Sequence, residues 1–482
     1  MRQRTLTLGI ALLGLAACAA PEPTTAVAAT GEIRLSPEQD VNAIIADAPA
    51  GARFVLADGL YRGFAARVKD DQAFVAEGQG AVLDGSVVLT DWERDGRFWV
   101  HDLPPAQPNP TAEGDPGSFA LQREDLFADD RLLRPVGSTG ELDGNTWHRS
   151  GDRAYVAFDP SARLMELGLL PHAFHGPGAN VLIQGVTVRQ YAPPGQFAAI
   201  EGVEGRGWRI VDVTAEHNHS RGLSLNHDMR VEGGHFNDNG QLGIGGPGDD
   251  VVIEGAEIAR NNYASHGRLW EAGGIKIVQS KGVVFRGNHV HHNDGTGVWF
   301  DWDNHEILIE DNLVELNQLM GIQYEASRDG LIRGNRVLRN DQSGYDEGWW
   351  GAEVLIQNSR NVEVIDNVIA VENNTGLMII QQDRGGGDFG EHLAQGNLIE
   401  GNLFVHLTPG RQHGLFADHK PDEASGNVFA RNRYIVPAAE AGRPLWQLPG
   451  GPRALPDVQA LGWEREGEVV PVADPAAHLP AR

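Results

Sequence analysis

The sequence predicts an all-β fold, a right-handed parallel β-helix, because one short unit recurs along most of the chain. The unit reads apolar–x–Gly/Asp–Asn–x–apolar and returns every 21 to 35 residues between positions 181 and 434, a period typical of solenoids. Its alternating apolar and polar residues indicate strands. We expect about ten or more coils. We also expect a ladder of stacked, mutually bonded amides, formed by Asn288, Asn312, Asn335, Asn367, Asn402 and Asn432.

The N-terminal segment has the pattern of an export signal followed by a lipid anchor. Two arginines, Arg2 and Arg4, precede the apolar run 6–15, which is too short to span a membrane. Leu-Ala-Ala-Cys at 15–18 resembles the lipobox of bacterial lipoproteins, which implies that Cys18 is acylated. We therefore expect a signal peptide at 1–17, a lipid-anchored tether at 18–30, and a protein held at the outer membrane or periplasmic face of the cell envelope. The alternative is a plain signal peptide.

Four further regions follow the tether. Residues 31–90 are expected to form an N-terminal cap and the first coils. Residues 91–170 lack the Asn position and are rich in aromatic and turn residues, which favours an inserted β-rich module. The regular coils occupy 171–436, and the Pro-rich stretch 437–482 is expected to cap the other end.

The N-terminal cap is predicted to contain a short amphipathic helix. Ser36 is the expected N-cap, Pro37 the first helical residue and Gln39 the second half of a capping box. Apolar residues between 41 and 48 follow at helical spacing. Such a helix would cover the open end of the solenoid.

The charge of the chain restricts its partners. The 482 residues include 39 basic and 66 acidic side chains, a formal net charge of −27, so nucleic acid is not expected as a partner. A polyanionic glycan would also be repelled, unless a local basic pocket or a bound cation intervened. Cys18 is the only cysteine, so no intrachain disulfide is possible. We expect a monomer without a cofactor, and a bound calcium ion is left open.

The candidate site lies on a strand that opens with glycine in successive coils. Alternation directs Lys276 outward on one coil, Asp301 and Asp303 outward on the next, and Glu325 outward on the third. Adjacent coils stack about 4.8 Å apart, so these four side chains should converge on one external patch. Lys276 is either a substrate clamp or a salt-bridge partner of the carboxylates.

Three insertions should wall this patch. The loops 261–273, 341–351 and 383–395 all adjoin the strand that carries the carboxylates, and long loops on one face of a solenoid mark its binding face. Aromatic rings on such loops suit the flat C–H faces of sugars. The residues expected to contact a glycan are Trp270, Glu271, Trp299, Trp302, Gln323, Trp349 and Trp350, with His227 and Asp228 as an extension of the cleft.

Paired carboxyl groups favour glycosidic bond hydrolysis, with one as general acid and the other as nucleophile or base. Asp301 and Glu325 occupy the same position on successive coils, which fits the separation of about 5–5.5 Å in retaining enzymes. Asp303 with Glu325 is diagonal and fits the wider inverting class. The alternative is that these carboxylates are only solvated. His289, His291 and His292 lie on a different face, and we expect no metal there.

The chain also resembles known families. The sequence from 167 to about 337 resembles bacterial right-handed β-helix repeat proteins of the pectin-lyase-like superfamily, in the stretches 270–276, 297–304 and 321–327. The front part, 92–160, resembles the inserted module of β-helix glycosidases of the family-141 type. The resemblance implies an exported carbohydrate-active β-helix, in agreement with the carboxylate pair.

A second resemblance supplies an alternative activity. Residues 277–281 resemble the strand of chondroitinase B and alginate lyases that ends in their catalytic lysine, which implies Lys281 as a base. Those lyases place Arg-His-Gly-Asp on the next coil, whereas this chain has Phe-Asp-Trp-Asp at 300–303. An acidic site is poorly suited to stabilising the enolate of an acidic sugar. A glycoside hydrolase is therefore preferred over a polysaccharide lyase or uronate epimerase, and a non-catalytic glycan-binding or structural protein is the remaining alternative.

Overall fold

Short strands wind into three long sheets of 13 strands each, and the prediction of a parallel β-helix is confirmed. The computed structural model describes residues 31–115, 118–345 and 349–481. Cys18 and the predicted signal and tether lie outside the described residues. In each regular coil the chain passes through sheet 1, sheet 2 and sheet 3 in that order.

The strands of the three sheets have the following bounds. Sheet 1 contains Ile33–Leu35, Arg53–Leu56, Ala73–Ala76, Leu182–Gln184, Arg209–Val211, Arg230–Glu232, Val252–Glu254, Val284–Arg286, Ile307–Glu310, Gly330–Arg333, Glu363–Ile365, Leu398–Glu400 and Val428–Ala430. Sheet 2 contains Gly59–Arg62, Ala81–Asp84, Thr187–Arg189, Thr214–Glu216, His235–Asn237, Glu257–Ala259, His289–His291, Leu313–Glu315, Arg336–Leu338, Val368–Val371, Leu403–His406, Arg433–Pro437 and Glu468–Val472. Sheet 3 contains Ala66–Arg67, Phe174–His175, Ala198–Glu201, Arg221–Ser224, Leu242–Gly246, Gly273–Val278, Thr296–Asp301, Ile322–Glu325, Ala352–Gln357, Thr375–Gln381, Gln412–Ala417, Trp446–Leu448 and Gly451–Arg453.

The recurring unit straddles the corner between sheets 1 and 2, with its Asn at the bend. The predicted ladder is confirmed. Asn335 donates its backbone N–H and its Nδ2 to Oδ1 of Asn367 at 2.9 and 3.0 Å, and its Nδ2 also reaches the carbonyl of Ile309 at 2.9 Å. The ladder therefore satisfies backbone groups that the buried bend leaves without a sheet partner.

A second ladder, which the sequence pattern did not reveal, runs along the corner between sheets 2 and 3. Its members are Asn218, Asn239, Asn261, Asn293, Asn317 and Asn340. Both ladders end on a buried glutamate. Nδ2 of Asn340 donates to Glu353 at 2.7 Å, and Nδ2 of Asn432 donates to Glu464 at 2.7 Å.

The N-terminal helix is Val41–Asp47, and it begins at Val41 rather than at Pro37. The predicted N-cap was wrong. Asp40 occupies that position because its carboxylate accepts the N–H of Ala43 at 3.1 Å, as an N-cap acceptor does. Ser36 stays in the preceding turn, where its N–H donates to Gln39 at 2.8 Å.

The region predicted as an insertion forms two small sheets beside the coils. One contains Ser86–Val88, Leu126–Ala128, Arg131–Leu132 and Met165–Gly168, and the other Glu93–Asp95, Phe98–Asp102, Arg134–Pro135, Thr146–Ser150 and Arg153–Val156. These sheets enclose a core of their own around Trp147 and Leu167. The Asp125 carboxylate docks the module on the coils, since it lies 3.0 Å from Nδ1 of His219 and accepts the Tyr263 hydroxyl at 2.7 Å.

The C-terminal residues cover the last coil. The helix Leu455–Ala460 precedes Trp463, whose ring stacks on Phe429 at 4.8 Å. Short 3-10 helices lie at Thr139–Glu141, Pro421–Glu423, Ala438–Glu440 and Pro475–His478. Within the described ranges, no helix is long and apolar enough to cross a membrane.

Candidate functional site

The outward face of sheet 3 carries the predicted carboxylates on adjacent strands. Asp301 pairs with Glu325 in the strand register, and Val278 pairs with Asp301 on the other side. Lys276 and Trp299 occupy the outward position two residues earlier. The predicted register is therefore confirmed, and the backbones of the two carboxylates lie one rung apart, about 4.8 Å.

Asp301 is held by Lys276. The Nζ of Lys276 lies 3.0 Å from Oδ2 of Asp301, donates to the carbonyl of Trp270 at 2.5 Å and stands 3.7 Å from the ring centre of Trp299. Of the two roles that the sequence allowed for Lys276, substrate clamp or salt-bridge partner, the geometry is that of a salt-bridge partner. The Oδ1 of Asp301 is buried and has no hydrogen-bond partner among the described residues.

Glu325 is buried and its two oxygens have different donors. Trp299 Nε1 donates to Oε2 at 3.1 Å, and Nε2 of Gln323 donates to the same oxygen at 2.8 Å. The guanidinium of Arg384 donates to Oε1. Arg384 comes from the loop 383–395, and its side chain remains 36% exposed.

The surroundings of Glu325 favour its protonated form. Burial, followed by the neighbouring Asp301 carboxylate, raises the pKa of Glu325 to about 7, although the charges of Arg384 and Lys276 oppose that rise. Near neutral pH this side chain can therefore exchange a proton, which is what general acid catalysis requires.

Asp303 does not join the pair. Its backbone turns out of the strand with a positive φ, and its carboxylate accepts the N–H of Asp388 and lies against Nε2 of His392, both at 3.0 Å. The expected convergence of Asp303 with Glu325 is therefore not observed, because the loop 383–395 engages the Asp303 carboxylate.

Arg384 and His392 are site residues that the sequence did not single out. The length and position of the insertion 383–395 indicated a wall beside the carboxylates. No pattern in the loop indicated that one residue would reach Glu325 and another Asp303, since these contacts span 59 and 89 residues of chain.

A cavity of about 570 Å³ lies between the loops 261–273 and 341–351, where a groove was predicted. The inserted module supplies its third wall. The cavity is lined by Glu113, Asp115, Gly267, Arg268, Leu269, Trp270, Leu319, Ser343, Gly344 and Tyr345. Asp301 and Glu325 are not on this lining. Trp270 connects the cavity with the carboxylate pair, because it lines the cavity and its carbonyl accepts a hydrogen bond from Lys276.

Trp299 and Gln323 cannot make the predicted contacts with a glycan. Both are buried, Lys276 covers the Trp299 ring, and both side chains donate to Glu325. Trp302 is half-buried and packs at 4.7 Å against the ring of His392. Of the tryptophans expected to contact a glycan, Trp270 is the one that lines the cavity.

Trp349 and Trp350, two further predicted glycan contacts, lie outside the cavity lining. Trp349 and Trp350 pack on the apolar outward face of sheet 3 beside Leu355 and Met378, because that face is hydrophobic on the coils after Glu325. They stabilise the wall and do not line the cavity.

Glu271, His227 and Asp228 are engaged by neighbours of their own. Glu271 forms an ion pair with Arg221, and its Oε2 lies 4.0 Å from Nζ of Lys276. His227 and Asp228 do not extend the cleft, since they lie in an exposed turn. There His227 contacts Asp249 at 3.3 Å and Asp228 pairs with an arginine of the preceding coil.

In the part of the chain that the structure describes, no group of three or more His, Cys, Asp or Glu side chains is arranged to hold a metal ion. His289, His291 and His292 lie on sheet 2 and its following turn, where His289 and His291 contact Glu315 and Glu257.

Comparison with known proteins supports the same fold. A family model described as a right-handed β-helix region matches residues 198–354. The solved structure of XylC with xylose is similar with a TM-score of 0.64 and 16% sequence identity, covering 84% of each chain. At this identity the likeness shows the fold alone.

Two further structures are similar at lower scores. The A-module of the Azotobacter vinelandii mannuronan C-5 epimerase AlgE4 has a TM-score of 0.41 and 14% identity, over 82% of this chain and 88% of its own. A structure named glycoside hydrolase has a TM-score of 0.38 and 12% identity, over 83% and 96%. A search of curated protein sequences found no match.

Proposed function

We propose that this right-handed parallel β-helix protein is carbohydrate-active and hydrolyses a glycosidic bond. The observation that carries the proposal is the pair Asp301 and Glu325, outward on adjacent rungs of sheet 3. Lys276 links the pair to the cavity, because it contacts Asp301 and donates to the carbonyl of Trp270, which lines the cavity. A rung of about 4.8 Å is close to the carboxyl separation of about 5–5.5 Å in retaining glycosidases.

The two carboxyl groups differ in the way their roles require. Glu325, whose pKa is raised to about 7, is the general acid that protonates the leaving oxygen. Asp301 is paired with the Lys276 ammonium, and its carboxylate is the nucleophile that attacks the anomeric carbon. Water then releases the sugar, and Glu325 accepts the proton of that water.

The test is turnover of a glycan panel by the intact protein, with new reducing ends and ultraviolet-absorbing unsaturated products both recorded. Asp301→Asn and Glu325→Gln should each lower the release of reducing ends by roughly 10²–10⁴-fold. Glu310→Gln is the matched control, because Glu310 is a poorly exposed carboxylate on sheet 1 that pairs with Arg333. Full activity in either site variant would contradict the proposal.

The same panel decides between the alternatives. Unsaturated products would identify a lyase, and a changed uronate without chain cleavage would identify an epimerase. Affinity without any product would identify a binding protein. The position of Lys281 disfavours the lyase, since its side chain is half-exposed in a turn and its Nζ lies 3.6 Å from Glu306.

We also propose that Cys18 carries a lipid that holds the protein at the cell envelope. The support is the lipobox-like tetrad at 15–18. Membrane fractionation of the native protein should place it with membranes, and Cys18→Ser should move it to the soluble fraction. Identical distribution of the two proteins would contradict the anchor.

A further inference from the structure

The two oxygens of Glu325 are restrained to different degrees. Oε2 accepts from Trp299 and Gln323, and both donors stand on sheet strands held by neighbouring coils. Oε1 accepts only from Arg384 among the hydrogen bonds of the described residues. The oxygen of a leaving group can therefore approach Glu325 only at Oε1, which Arg384 covers.

The loop that bears Arg384 is held by several contacts, whereas the arginine side chain is partly exposed and donates to Glu325. Its small hairpin, Gly386–Gly387 with Gly390–Glu391, is fixed by Asp303, which accepts the N–H of Asp388. The ring of Phe389 lies 3.8 Å beneath the guanidinium of Arg328.

Two hydrogen bonds from one further donor fix the same hairpin. Nη2 of Arg360 donates to the carbonyls of Phe389 and Glu391 at 3.1 and 2.8 Å. Arg384 precedes these anchors, and its side chain is 36% exposed. Its guanidinium can consequently turn into solvent without movement of the hairpin.

We propose that Arg384 is a positioning residue for Glu325: its guanidinium covers Oε1 in the free protein and must withdraw before that oxygen can carry the proton for the leaving group. The proposal rests on the proposed function. A bound sugar placed over Asp301 would displace the guanidinium, so that Glu325 becomes a proton donor only when the site is filled.

The proton balance follows from the charges around Glu325. With Arg384 in place, Lys276 and Arg384 both favour the carboxylate, and Asp301 opposes it. When Arg384 withdraws, Glu325 takes a proton from water at Oε1. That proton passes to the leaving oxygen when the glycosidic bond breaks. The nearby pair of Asp303 and His392 faces the hairpin.

The test replaces the guanidinium and reads the titration of Glu325. In Arg384→Gln the pKa of Glu325 should rise by about one unit, because a contacting positive charge is lost. The basic limb of the pH profile of kcat/KM should move to higher pH by the same amount, and Arg384→Lys should restore most of the shift. Lys420→Gln is the control, since Lys420 pairs with Glu391 of the same hairpin at 2.5 Å.

A second readout makes the inference independent of turnover. Carbon-13 NMR of protein labelled in glutamate gives the pKa of Glu325 directly, with its resonance assigned by its loss in Glu325→Gln. An unchanged pKa in Arg384→Gln would overturn the inference. A shifted pKa in a protein that cleaves no glycan would instead contradict the proposed function. Movement of the acid limb alone would show that Glu325 is not the proton donor, and would overturn the inference as well.

Discussion

Three buried glutamates, Glu325, Glu353 and Glu464, show how a single residue depends on its neighbours in this fold. Glu353 and Glu464 each accept a backbone N–H and an Nδ2–H from an asparagine at the end of a ladder. Glu325 accepts from an arginine, a tryptophan and a glutamine. Glu353 and Glu464 therefore complete the asparagine ladders, whereas Glu325 lies on the outward face of sheet 3 beside a second carboxylate, that of Asp301.

Glu353 should make the stability of the protein depend on pH. Burial raises its pKa from 4.5 to about 8, so the folded state prefers the protonated form. Stability that is fully present below pH 4.5 should fall as the pH rises towards 8. Glu353→Gln cannot ionise and still offers an oxygen to Asn340, so its melting temperature should fall less between pH 5 and pH 8.

The measurement is thermal unfolding of the wild type and of Glu353→Gln across that range. Glu363→Gln, at an exposed position of sheet 1, is the control. Glu325, with its pKa raised to about 7, contributes a change of the same sign, so the slope should shrink and not vanish. Equal slopes in wild type and Glu353→Gln would show that Glu353 does not titrate in this range.

At the scale of the element, the sequence pattern predicted the coils and the first ladder, but it missed the second ladder and the contacts that do not repeat. The strands, their register and the first ladder follow from a periodic pattern, because each coil must bury the same positions. The register placed Asp301 opposite Glu325 correctly for that reason. The N-terminal helix begins at Val41 and not at the predicted Pro37, because Asp40 and not Ser36 is its N-cap. The partners of Glu325 and Asp303 on the loop 383–395 follow no period, so sequence alone could not predict them.

The first ladder should contribute measurably to stability. Asn335→Ala removes the acceptor of two N–H groups of Asn312 and the donor to Ile309 and Asn367. Buried groups left without partners should lower the free energy of unfolding by about 1–3 kcal/mol. Chemical denaturation measures the loss, with Asn145→Ala on the exposed edge of the module as control. An unchanged midpoint for Asn335→Ala would remove the energetic role of the ladder.

At the scale of the whole molecule, three sheets of 13 strands form one continuous core whose two ends must be covered. The helix Val41–Asp47 covers the first coil. Trp463 covers Phe429 at the other end, and the strand Glu468–Val472 extends sheet 2 beyond Arg433–Pro437. Uncovered strand edges and core rings would otherwise be available to other chains.

Removal of residues 455–482 should therefore cause association. The deletion exposes the ring of Phe429 and the backbone of Arg433–Pro437, which no longer has a neighbouring strand. Size-exclusion chromatography with light scattering should show oligomers or aggregates, whereas a control that lacks only residues 481–482 should elute like the full chain. A monomeric, cooperatively folding truncation would show that this end needs no cover.

The two asparagine ladders also give the molecule a direction. In every step the amide hydrogens of one coil point to the oxygen of the next coil towards the C-terminus, so the bond dipoles add along each corner, as peptide dipoles do in an α-helix. The positive end of each ladder contacts a glutamate carboxyl group. That group accepts two hydrogen bonds and has no amide hydrogen to donate to the next coil. Glu353 and Glu464 thus terminate the two ladders, because an asparagine at either position would offer a donor to the next coil. The coils themselves continue beyond Glu353, so the end of a ladder is set separately from the end of the solenoid.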